Sequence, residues 1–315
     1  MYLKILDNDL AVLRCSVDRS LNALKELGFT EGNSEPIVDV LEKYLKENNV
    51  RIQYWDLGED IVALHLHEPN TGHFIVINES YQHVENAATR KMAVRKLFCH
   101  ELAHVVLDHA PSYILPANAT ATMQKLHAAL MQCVRDQAFH GRTEDDAEIF
   151  SGAIAFWPQT KFLEQFIRSK ADFRLMANQY KMPVDCAVKW ALLSLDAFPM
   201  HYLKHNETTP EVEDCYIPTS HAVFPWQFQT GAVFDDSRTV AHKCRINKAD
   251  ESGLTRAENP GGSANYVCHV YFEKAGAMPK RTDDKIVIAG FHENTFNAIC
   301  KWAADVEKIP LSSGT

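Results

Sequence analysis

The segment His100-Glu101-Leu102-Ala103-His104 constrains this chain more than any other, because it fixes a local conformation and a chemistry together. It lies in a run from about Asn86 to Asp108 in which Ala93, Leu97, Leu102, Val105 and Val106 recur at helical spacing, so a helix with one buried stripe is predicted there. On a helix, positions i and i+4 stand one above the other, and two imidazoles so placed can hold one cation. The carboxylate beside the first imidazole can then polarise a water. With 15 histidines in 315 residues, composition alone produces this H-E-x-x-H pattern only about 0.05 times per chain. A catalytic metal of this type takes three protein ligands and leaves one position for water, so a third ligand must come from further along the chain.

Two places compete for that ligand. His109 is nearby, but Leu107 stands where H-E-x-x-H-x-x-G-x-x-H proteases have the glycine that lets the chain double back. His109 is therefore read as a partner to a ligand or to the carbonyl end of the helix. Asp108, one turn past His104, is placed either to orient an imidazole N–H or in solvent. The stronger place is Glu144-Asp145-Asp146-Ala147-Glu148-Ile149-Phe150, an acidic helix start running into an apolar helix.

Around this core the chain reads as α+β, with length for about two domains. Leu21, Leu24 and Leu27 predict a helix ending at Gly28, and a second helix is expected from Pro36. RIQYWDL, DIVALHLHE and HFIVINE are rich in β-branched and aromatic residues, and Gly58 and Pro69-Asn70-Thr71-Gly72 separate them, so a small antiparallel sheet is expected. Helices follow at about 120–140, 144–157 and 161–169. DFRLMANQYKMPVDCAVKWALLSL reads as two short helices with Pro183 at the start of the second, as in a helix-turn-helix. Residues 204–222 lack apolar periodicity and read as a boundary. Beyond it AVFPWQFQTGAVF, TVAHKCRI, NYVCHVYFE and KIVIAGF are read as strands, with loops at 249–264 and 275–284 and a closing helix from about Glu293 to Val306.

Composition narrows the function classes. A formal charge of -9 argues against general attraction to nucleic acid or anionic lipid. No window supplies a membrane span, and Asp7 and Asp9 interrupt any signal-peptide core, so a cytoplasmic protein is expected. The eight cysteines form no C-x-x-C and read as reduced, mostly buried thiols; Cys99, one position off His100, is read as core. His65 and His67 alternate on one strand face, which suits either metal or solvent.

FCHELAHVVLDH followed by EDDAEIFSGAIAFWP resembles the bacterial ImmA/IrrE metallopeptidases, a gluzincin-like family with an H-E-L-x-H helix and a later E-x-E-A-N-x-F-A-A-x-L-L-M-P helix. PIVDVLEKYLKENNVRIQYWDLGEDIVALHLHEPNTGHFIVINE and LMANQYKMPVDCAVKWALLSL extend the resemblance over roughly residues 35 to 200. Anchored on Ala147 and Phe150, it implies His100, His104 and Glu144 as metal ligands, with Glu148 in reserve, and Glu101 as the general base. It implies Zn2+ as cofactor, with Mn2+ an alternative in the cell. The implied organisation is a zincin-like domain over 1–170, a helix-turn-helix-like pair over 171–204, a linker over 205–222 and a C-terminal α+β domain over 223–315, possible kin of the GAF-like sensor domain in some family members.

The implied function is a regulatory zinc endopeptidase whose partner and substrate is a DNA-binding repressor of stress-response or mobile-element genes. The alternative is a non-catalytic regulatory binding protein whose metal site is degenerate or structural. In LMANQYKMPVDCAVKWALLSL only Lys181 and Lys189 are basic, so DNA contact through the helix pair is weakly supported. For the group that stabilises an oxyanion, Tyr81, Tyr113 and His140 stay open.

Overall fold

A computed structural model of the chain describes residues 7–29, 44–58, 61–68, 72–109, 113–114, 141–195, 198, 200–206, 212–216, 240–259, 262–274 and 284–307. It is a mixed α+β protein with two sheets among the described residues, and it packs as two compact units, one of Cys15–Pro158 and one holding Asp7–Arg14 and the described residues from Gln159 onward. No helix among the described residues is long and apolar enough to cross a membrane.

The first unit contains most of α1 (Asp7–Glu26), strands β1 (Val50–Trp55), β2 (Ala63–Glu68), β3 (Gly72–Asn78) and β4 (Tyr113–Ile114), and helices α2 (Ala87–Val106) and α3 (Gly141–Ala155). The sheet order is β1-β3-β2-β4. It is not the antiparallel sheet that was expected: β2 and β3 form an antiparallel hairpin, but β1 runs parallel to β3 and β4 parallel to β2. The hairpin inserts β3 between β1 and β2, so the strand beside β1 is the one that shares its direction. Gly72 permits this. Its φ is +95°, and a Cβ there would lie 2.6 Å from the Asn49 carbonyl oxygen, which accepts the His73 N–H.

One face of this sheet carries Leu64, Leu66, Phe74 and Val76, packed with Leu57, Ile61 and Trp55. The alternate positions put His65, Ile75 and Ile77 on the opposite face, where α2 packs across β2 and β3. Asn78 closes β3 and is itself buried, donating to the carbonyls of Gly58 and Ile61 and accepting from Ser80 N–H in a 3₁₀ turn that leads into α2.

The second unit contains α4 (Gln159–Arg168), α5 (Phe173–Tyr180), α6 (Val184–Ser194), β5 (Met200–Asn206), β6 (Val212–Tyr216), α7 (Val240–Asn247), β7 (Glu251–Asn259), β8 (Gly262–Glu273), β9 (Lys285–His292) and α8 (Glu293–Glu307). Its five strands are antiparallel in the order β6-β5-β9-β8-β7.

Several sequence expectations change here. The region 205–222, expected as a linker, contains the end of β5 and all of β6, which pair antiparallel at one edge of the sheet. TVAHKCRI, expected as a strand, forms α7: Val240, Ala241 and Cys244 share one buried helical stripe, which outweighs the β-branched residues. The expected loop at 249–264 is the β7–β8 hairpin. The expected helix at 120–140, the helix start at Pro36 and the strand AVFPWQFQTGAVF lie outside the described residues.

The helix pair is part of the second unit. The Phe173 N–H donates to the Tyr271 hydroxyl at 2.8 Å, and Phe173 stacks on Phe291 at 6.4 Å with 6° between the rings. Arg174 reaches Asp250 at 2.8 and 3.1 Å, and Lys204 pairs with the buried Asp185 at 3.1 Å. The turn between the helices uses Lys181 in the left-handed region, with the Met182 N–H bonded to the Ala177 carbonyl. Val184 through Val188 are all buried, so the N-terminal end of α6, which enters the groove in helix-turn-helix proteins, here faces protein.

Candidate metal centre

Asn86 caps α2, its side chain accepting from the N–H groups of Ala88 and Thr89. The helix runs without interruption through His100, Glu101 and His104, as the spacing predicts. It ends in a Schellman turn: the His109 N–H bonds to the His104 carbonyl at 2.9 Å, and Asp108 N–H to Val105 at 3.3 Å. Asp108 occupies the left-handed position with φ of 54°, a place where Asp is tolerated. The chain does therefore double back without a glycine, but only far enough to bring His109 Nδ1 to 3.0 Å from His104 Nδ1.

Helix α3 packs along α2 and supplies the acids. His104 Nε2 and His100 Nε2 are 3.3 Å apart. Glu144 Oε2 is 3.1 Å from His100 Nε2, and Glu144 Oε1 is 3.5 Å from His104 Nε2. One atom from each of His100, His104 and Glu144 falls within 4.8 Å of the others, the only such set among the described residues. Two imidazole nitrogens and a carboxylate oxygen so converged fit a tetrahedral divalent cation that keeps a fourth position open.

Glu148 has a different place. Its Oε2 is 3.3 Å from His100 Nδ1, the ring nitrogen away from the converging set, and its Oε1 is 3.5 Å from Lys96 Nζ. The reserve candidate thus contacts the outer nitrogen of His100, and His109 does the same for His104. Both imidazoles have an outer partner that fixes which nitrogen faces inward. Asp146, one step around α3, is buried and accepts from Ser16 Oγ at 2.7 Å and from Arg19 at 2.6 Å, which ties α3 to α1.

The electrostatics follow from this crowding. Burial of His100 opposes its charge, but Glu144, Glu148 and Glu101 outweigh it and push the ring up to about 10, so without metal it carries the proton of the cluster. Burial and the neighbouring His100 charge hold His104 below its ordinary range. The His100 hydrogen bond pulls Glu144 down. Glu101 is buried on α2, and desolvation raises it to about 7, into the range where a carboxyl group can both take up and release a proton near neutral pH.

Other predicted residues lie elsewhere. Tyr81 is buried in the 3₁₀ turn; Tyr113 is in β4 with its side chain outside the described set, and His140 lies outside the described residues. Cys99 is a buried thiol, its pKa pushed up to about 11 by burial despite Arg95. His65 is not on a solvated face: it is 1% exposed, beneath α2. Sequence reasoning passed over His73, which the β2–β3 register places directly across from His67.

No protein-family model matches the chain, and no curated protein sequence does. The fold is similar to that of a solved Mycobacterium tuberculosis transcriptional regulator, with a TM-score of 0.52 and 14% identity, over 95% of this chain and 92% of that one. At this identity the likeness is one of fold.

Proposed function

We propose that this protein is a divalent-metal-dependent peptidase of regulatory type, with a zincin-like catalytic unit and a second unit that senses or recognises. The observation that carries the reading is the convergence of His100, His104 and Glu144 beside the buried Glu101. His100 and His104 would hold the cation through Nε2 and Glu144 through a carboxylate oxygen, while Glu148 and His109 keep the rings in register. Zn2+ suits this donor set and Mn2+ is the cellular alternative; when bound, the cation supplies Lewis-acid polarisation of a scissile carbonyl. Glu101 accepts a proton from the attacking water at its carboxylate and returns it to the leaving amine, work for which its raised pKa suits it. A structural metal would favour four closed ligands and would have no use for Glu101.

The substrate proposed is a DNA-binding repressor met in the cytoplasm. A sensor domain of GAF-like type is one reading of the antiparallel sheet of the second unit. The helix pair is given a packing role and no DNA contact, on account of the burial of α6. One observation favours a second reading, a regulatory binding protein without turnover: the solved protein of similar fold is described as a transcriptional regulator.

Metal content by plasma mass spectrometry on untagged protein tests the site, for wild type beside His104→Ala and Glu144→Ala. One equivalent less than wild type in both variants supports it, and a content equal to wild type in both refutes it. Glu101→Gln separates the two readings: the peptidase keeps its metal and loses at least about 10²-fold in turnover, whereas the binding protein keeps its regulatory phenotype.

A further inference from the structure

His65 and His67 on β2 and His73 on β3 lie on one face of the first sheet, outside the set that converges at His100. The register places His67 opposite His73, and period-two alternation puts His65 beside them. Their rings gather: His67 and His73 have centroids 4.6 Å apart, and His65 and His73 5.0 Å apart. His65 Nε2 is 2.7 Å from His73 Nδ1. His65 is 1% exposed, yet its other ring nitrogen, Nδ1, has no hydrogen-bond partner. That nitrogen faces away from His73; the nitrogens turned toward each other are His65 Nε2 and His73 Nδ1, the pair that a cation would take. An H-x-H pair on one strand with a histidine on the neighbouring antiparallel strand is a three-imidazole arrangement, the ligand type of a His₃ metal site.

We propose that His65, His67 and His73 form a second transition-metal site, separate from the cation held by the two helices. Its ligand is a divalent cation that prefers imidazole, such as Zn2+, Co2+ or Ni2+. His67 has to turn toward the His65–His73 pair to complete the set, and its partial exposure on the hairpin leaves room for that. The cation would clamp β2 to β3 beneath α2.

The test is stoichiometric, on the full chain stripped by chelator and titrated with Co2+ and with Zn2+. Wild type is expected to bind two equivalents, His104→Ala one, and His67→Ala/His73→Ala one. Two equivalents retained by the hairpin double variant would overturn the proposal, as would a wild type whose single equivalent disappears with His104→Ala. A single equivalent lost in the hairpin variant but kept in His104→Ala would uphold this site and refute the helix site. Because the hairpin variant could fail to fold, a second measurement uses the His104→Ala chain. Zn2+ must protect the peptide containing residues 65–73 from diethyl pyrocarbonate, read by mass spectrometry. Absence of that protection overturns the site.

Discussion

At the scale of single residues, the candidate centre depends on which nitrogen of each ring faces inward. His104 offers Nε2 to the convergent set because Nδ1 is occupied by His109 at 3.0 Å. His109→Ala is therefore expected to weaken Zn2+ binding by about 10- to 100-fold without changing the ligand set, measured by competition with a chromophoric chelator. An unchanged affinity would show that His109 only terminates the helix. His100, Glu101, His104 and Glu144 were all legible beforehand, since helical spacing is local and the acidic helix start carried the resemblance. The division of labour between Glu144 and Glu148 was not legible. The two sit one turn apart on α3, and only the rotation of α3 against α2 decides which reaches Nε2 and which Nδ1.

At the scale of elements, two contacts between segments distant in sequence set the geometry of the site. Asp146 joins α3 to α1 through Ser16 and Arg19, and it is buried while doing so. Asp146→Ala removes both hydrogen bonds and leaves a buried hydroxyl without its acceptor. A loss of about 1–3 kcal/mol in urea unfolding is expected, with a drop in metal affinity as α3 loosens. Gly72 lets β3 begin against the Asn49 carbonyl, where φ is positive and a Cβ has no room. Gly72→Ala is expected to cost about 2 kcal/mol or more by chemical denaturation, and a neutral result would mean that β1 shifts freely. The helices α2, α3, α4, α5, α6 and α8 were foreseen from the helical spacing of their apolar residues. The parallel pairing of β1 was not foreseen, because strand order is a property of the whole sheet and leaves no mark on a strand's own alternation.

At the scale of the whole molecule, the second unit carries a titratable group that stands apart from the candidate metal centre. His269 lies in β8 against Phe291 and Phe296 with its Nε2 unpartnered among the described residues, and burial depresses its pKa, only partly offset by Asp172. A histidine kept neutral by the fold is protonated sooner in the unfolded chain. Its contribution to stability is therefore complete above about 6.5 and lost as pH falls below that value. His269→Leu is expected to flatten the fall of the melting temperature between pH 7 and 5 relative to wild type, by calorimetry; parallel curves would discount His269. By itself the sequence determined what local spacing can encode: the helix under H-E-x-x-H, its two imidazoles on one face, the acidic start of α3 and the pair α5–α6. The tertiary structure alone decided which carboxylate meets which ring nitrogen, that β1 lies parallel to β3, that α7 is a helix, that α5 and α6 belong with the second sheet, and that His73 joins His65 and His67. Each of these depends on contacts between residues far apart in the chain, and a short-range pattern of polar and apolar side chains is blind to them.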